Sequence, residues 1–102
     1  MKRKYDAFLE KADGTKRFIE PENGTDFSLK ELQGYVGGYI EIISLGRGER
    51  MVVNEEGKLL GLPYNDGATF WCRVAGLGHT IVGDAVICHH SQLVTQKHSS
   101  RR

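Results

Sequence analysis

"FSLKELQGYVGGYIEIISL", residues 27–45, carries a helix and a strand back to back, and the two glycines between them mark the change of period. Ser28 stands three residues before Glu31, the spacing of a capping box, in which the serine oxygen accepts an N3 amide and the glutamate reaches back to the cap. Phe27 and Leu32 occupy the positions of a hydrophobic staple. Leu29, Leu32 and Val36 fall at i, i+3 and i+7, one apolar stripe on a short helix. Gly34 lies within that stripe and weakens its last turn. Gly37-Gly38 then ends the helix, since glycine enters the left-handed cap without a Cβ clash. Tyr39 to Leu45 changes to β-branched and aromatic residues and reads as a strand.

Outward from this core the pattern continues in the same alternation. Gly46-Arg47-Gly48-Glu49 makes a tight return, and Arg50 to Val53 is the expected antiparallel partner. Asn54-Glu55-Glu56-Gly57 is a turn, followed by Leu59 to Tyr64 as a loop or very short strand. Asn65 or Asp66 caps a second helix whose Ala68, Trp71, Cys72 and Ala75 share one face. Gly76 and Gly78 end it. Ile81 to Cys88 is a final strand, with Val82, Val86 and Cys88 on one face and Ile81, Ala85 and Ile87 on the other. Upstream, Tyr5–Lys11 and Thr15–Glu20 flank Asp13-Gly14 as a hairpin that Pro21 closes. The order is ββαββαβ: an α+β domain, with a small, mainly antiparallel sheet and two short helices covering one face.

The chain of 102 residues is expected to form one domain over 1–94, with 95–102 as a flexible basic tail. Apolar residues at 39% and charged residues at 26% suit a globular protein, and no apolar run approaches the roughly 20 residues of a membrane span. Met1-Lys2-Arg3-Lys4-Tyr5 leads into Asp6 and Glu10 instead of an apolar segment, so no secretory signal is read and a cytoplasmic location is expected. Fourteen basic against thirteen acidic residues give a net charge of +1, and no global field recruits nucleic acid. Basic residues do gather at both ends, including Lys97, Arg101 and Arg102, which keeps nucleic-acid binding as an alternative. Cys72 and Cys88 make no disulfide framework and are expected as buried thiols.

Several short motifs in fixed order carry a resemblance. "SLKELQGYVGGYIEII", "MVVNEEGKLLGLPYNDGAT" and "IVGDAVI" join a Leu-Gln helix, a Val-Gly-Gly corner, an Ile-Glu strand, an Asn-Glu-Glu-Gly turn and an Ile-Val-Gly-Asp strand. Over about Lys16 to Val94 this resembles a family of small proteins of unknown function found in bacteriophages, plasmids and bacterial mobile elements. The resemblance implies a phage or mobile-element origin and a small α+β fold. It implies no reaction, cofactor or ligand.

Candidate functional residues follow from chemistry. Glu41 shares a strand face with Tyr39 and Ile43; turned inward it would floor a polar pocket, and turned outward it would leave Ile40 and Ile42 to the core. Asn54, Glu55 and Glu56 offer oxygen ligands, but neighbours on extended chain point apart and no EF-hand spacing is present; the plainer reading is a turn held by Asn54 with Gly57 at positive φ. Cys72, Cys88, His79, His89 and His90 match no paired zinc spacing, so no metal is expected. Trp71, Phe70, Tyr64 and Tyr39 are expected in the core in preference to a base-stacking platform. The first expectation is therefore a non-enzymatic accessory protein that binds a host protein or a small polar ligand, with counter-defence as a special case. Its site is expected among Gly37, Gly38, Glu41, Asn54, Glu55 and Asn65, without a cofactor or membrane partner. A homodimer is expected, because a small core gains from association. The alternative from another class is a small metal-dependent or carboxylate-based hydrolase built on Glu41, Glu55 and Asp84.

Overall fold

The computed structural model describes residues 5–93. Five strands form one antiparallel sheet: β1 (Ala7–Glu10), β2 (Lys16–Ile19), β3 (Ile40–Gly46), β4 (Glu49–Asn54) and β5 (Ala85–His89). Their spatial order is β2-β1-β5-β4-β3, so the last strand lies between two hairpins. Helices α1 (Leu29–Val36) and α2 (Asp66–Val74) complete an α+β fold, and a 3-10 turn, His90–Gln92, follows β5. The element order matches the expected ββαββαβ. The expected basic tail, and Lys2 to Lys4 at the other end, lie outside the described residues.

Both caps behave as their sequences dictate. Ser28 Oγ accepts the Glu31 amide, the Glu31 carboxylate accepts the Ser28 amide at 2.7 Å, and Gly37 closes the helix at φ +82°. Phe27 and Leu32 are fully buried, whereas Leu29 is 45% exposed, so the apolar stripe of α1 is Leu32 and Val36 alone. In the first hairpin the Asp13 carboxylate accepts from both the amide and the hydroxyl of Thr15, and these bonds hold its pKa below the ordinary value.

The helices do not share a face. Leu9, Val52, Val86 and Cys88 pack with Phe27, Leu32 and Val36 on the α1 side. Met51, Val53, Ala85 and Ile87 pack with Ala68 and Cys72 on the α2 side. Strand register fixes the division, with Leu9 and Val52 both opposite Val86, and Phe8 and Met51 both opposite Ile87. A sheet covered on one side only would alternate apolar with polar residues; Met51-Val52-Val53 and Ala85-Val86-Ile87-Cys88 are unbroken apolar runs because both faces are covered.

The final strand is also shorter than its sequence suggests. Gly83 turns the chain at φ +78°, its amide donating to the Pro63 carbonyl at 2.7 Å. Val82 instead forms an isolated bridge with Tyr64. Gly57 has no positive φ; it is glycine because a Cβ there would lie 2.9 Å from the Val82 Cγ2.

Cys72 and Cys88 belong to opposite faces of the sheet, so they cannot meet in a disulfide or at one ion. Burial pushes the Cys88 thiol from 9.0 up to about 12, offset only partly by Arg50, and burial also raises Cys72. Because the folded-state value is raised, Cys88's contribution is intact below about pH 9 and is lost as pH rises toward about 12. Denaturant titrations should show Cys88→Ala losing less stability than wild type between those limits. An identical alkaline decline would refute the assignment.

Candidate functional site

The Val-Gly-Gly corner, the edge strand β3 and the Asn-Glu-Glu-Gly turn meet at one end of the sheet. There a cleft of about 230 Å³ opens beside β3. Ile43, Val53, Ile81 and Val82 give it apolar walls, and Glu41, Glu55 and Glu56 bring three carboxylates to it. All three glutamates are exposed. Lys58 and His79 are the basic groups on the same lining. Three carboxylates against two basic groups favour a cationic group that carries an apolar stem. Glu41 is exposed on the α2 face of β3, which it shares with Ile43, while Ile40 and Ile42 pack against the α1 core.

Asn54 builds this end of the molecule from beneath. Its Nδ2 donates to the carbonyl of Val36, the last residue of α1, at 3.1 Å. Its Oδ1 accepts the Glu56 amide at 2.7 Å, which turns the chain after β4. One side chain thus satisfies a helix-end carbonyl and starts the acidic turn. A Cβ on Gly38 would come within 2.9 Å of the Asn54 Nδ2, so the second glycine of the pair keeps room for this amide. Gly37 and Gly38 line a second, shallow recess with Tyr39, Glu56 and Leu60, adjoining the cleft through Glu56. Asn54→Ala should cost about 2 kcal/mol, chiefly from the orphaned Val36 carbonyl. Hydrogen exchange at the Glu56 amide should accelerate more than exchange in β5. Unchanged protection at Glu56 would show that the turn does not depend on this side chain.

The six sequence-derived candidates are therefore only partly brought together. Glu41, Asn54 and Glu55 line the cleft, and Gly37 and Gly38 line the adjoining recess. Asn65 belongs to neither. It is fully buried, its Oδ1 accepts the Ala68 amide at 2.9 Å, and its Nδ2 donates to the carbonyls of Glu10 and Gly83. Its side chain fixes the start of α2 and offers nothing to a ligand. The carboxylates of the hydrolase alternative do not converge either, since Asp84 accepts the Ala12 amide at 2.9 Å beside the first hairpin. Among the described residues no three of His, Cys, Asp and Glu are placed to hold a metal ion.

The aromatic residues divide in a way that periodicity did not disclose. Trp71 leans on Phe8 and donates through Nε1 to the buried Glu10 carboxylate at 3.3 Å. Tyr39 and Phe70 are 65% and 59% exposed, contrary to the expected core positions, and Tyr64 is also exposed. Tyr39 borders the recess, while Phe70 lies on the outer side of α2, so no single stacking platform forms. Lys58, Leu59 and His79 join the cleft without a prior sequence signal, because turns bring them there. Lone polar residues in loops carry no periodicity.

The profile of a family described as a domain of unknown function, DUF3846, matches residues 11–96. No curated protein and no solved structure matches the chain.

Proposed function

The chain belongs to the DUF3846 family, and on that premise we propose that it is a non-enzymatic accessory protein of phage or mobile-element origin that binds a host protein or small polar molecule in the host cytoplasm. The observation that carries this reading is the cleft beside β3. It combines apolar walls with three exposed carboxylates on fixed backbone, and it draws residues from three separated parts of the chain. Such a surface suits recognition of a cationic partner. The motif order that resembles phage and plasmid proteins supports the proposed origin. Interference with a host defence factor is the form of binding that this origin favours.

Native mass spectrometry of the protein purified from its bacterial host tests the reading, compared with a Glu41→Lys/Glu55→Lys variant. A stoichiometric added mass on the wild type that the variant lacks supports it. A bare mass on both, with identical captured proteins, overturns the cleft as the binding site.

A further inference from the structure

The sheet has two edges, and they differ in how they are protected. The outer edge of β2 is four residues long, begins Lys16-Arg17 and is followed within two residues by Pro21. Short length, cations and proline are the means by which natural sheets prevent strand addition. The other edge, β3, is seven residues, Ile40–Gly46, with sequence IEIISLG. It holds no lysine, arginine or proline. Its register break is confined to Ser44–Gly46, at the hairpin end, so Ile40 to Ile43 run regularly.

The direction of the free backbone groups follows from the ladder. The Glu55 amide donates to the Tyr39 carbonyl at 2.8 Å, and the register continues Glu41 opposite Val53 and Ile43 opposite Met51. Hydrogen-bonded and non-bonded pairs alternate in an antiparallel ladder. Tyr39, Glu41 and Ile43 therefore bond inward to β4, while the amides and carbonyls of Ile40, Ile42 and Ser44 point outward. No strand of the described residues pairs with them.

We infer that β3 accepts an extended segment of a partner protein as a sixth strand, with a lysine or arginine of that segment placed over Glu41 in the acidic cleft. The inference rests on the binding function proposed above and specifies its occupant. Backbone bonding to Ile40, Ile42 and Ser44 supplies the docking, and alternate side chains supply selectivity. Partner residues on the α2 side fall beside Glu41 and Ile43. The first position calls for a cation, whose charge Glu55 and Glu56 also attract, and the next calls for an aliphatic group. The basic Lys58 and His79 stand on the same lining and limit the segment to few charges.

The test uses acetyl-Thr-Val-Thr-Lys-Thr-Val-amide, whose single lysine has a valine on either side of it along the same face, and its counterpart with glutamate for the lysine as probes, titrated into the 15N-labelled protein at moderate salt. The lysine peptide is expected to bind about tenfold more tightly than the glutamate peptide. The amides of Ile40, Ile42 and Ser44 should shift and become protected from exchange. Glu41→Lys, an exposed change, should reverse the peptide preference. Ser44→Pro, which removes an outward donor and leaves the ladder bonds to β4 intact, should weaken the lysine peptide while the fold persists by circular dichroism. Equal binding of the two peptides, or shifts confined to residues away from β3, overturns the inference. Self-association that grows with concentration and is blocked by Ser44→Pro would also overturn it, because the occupant would be a second copy. If a small polar mass co-purifies and neither peptide moves β3, the strand inference falls while the wider binding function stands. If the host-purified protein is bare as well, both fall.

Discussion

Asn65→Ala is expected to lower stability by about 4 kcal/mol, about 1 from the lost cap and the rest from two buried carbonyls left without a donor. All three hydrogen bonds of this side chain are 2.8–2.9 Å, and the residue has no exposed surface. It ties the end of β1, the start of α2 and the turn before β5 to one amide group. In a domain of this size the melting temperature should fall by roughly 20 °C, measurable by calorimetry or circular dichroism. Asn65→Asp separates the contributions. It keeps the oxygen that accepts the Ala68 amide but turns a second oxygen toward the Glu10 and Gly83 carbonyls. It should therefore restore little of the loss. A cost below about 1 kcal/mol for Asn65→Ala would mean that water replaces the amide, and the cross-tie would lose its importance.

Phe27→Ala should be comparably damaging, at about 4 kcal/mol, since truncating a fully buried phenylalanine costs its transfer energy plus the cavity left behind. Phe27 has no exposed surface, meets Tyr35 edge-on at 6.3 Å between ring centres and packs in the α1 core with Leu32 and Leu93. Its amide bond to the Gln92 carbonyl at 2.7 Å would survive the substitution, so the loss reports packing alone. Leu29→Ala is the control. It lies two residues away, half exposed, and should stay within about 0.5 kcal/mol. Comparable losses in both variants would show that the staple residue is not the anchor of α1.

Local chemistry was legible in the sequence wherever partners are close along the chain. The Ser28–Glu31 capping box, the Asp13–Gly14 hairpin and the Asn65 cap each depend on neighbours within a few residues. The unbroken apolar runs in β4 and β5 also held the information that both faces are covered. Nothing local shows which face a helix takes, because that depends on how the connections after α1 and before α2 cross the sheet edge. The site was legible in the same uneven way. Gly37, Gly38, Glu41, Asn54 and Glu55 follow one another along a corner, a strand and a turn, so they arrive at one end together. Asn65 looked like a candidate ligand because a polar residue beside a glycine-rich loop resembles a binding loop. Its donors and acceptors go instead to Glu10, 55 positions earlier, and to Gly83, 18 positions later.

The position of β5 sets an order on synthesis at the ribosome. The N-terminal hairpin and the β3–β4 hairpin have no shared edge; each bonds to β5 and not to the other. Both emerge first, with their apolar faces open, and neither can join the sheet until residues 85–89 leave the exit tunnel. Assembly is thus held until β5 emerges and then completes by insertion of one short strand between two waiting hairpins. A nascent chain arrested before Ala85 would present four unpaired edges, two on each hairpin, where the finished sheet presents two.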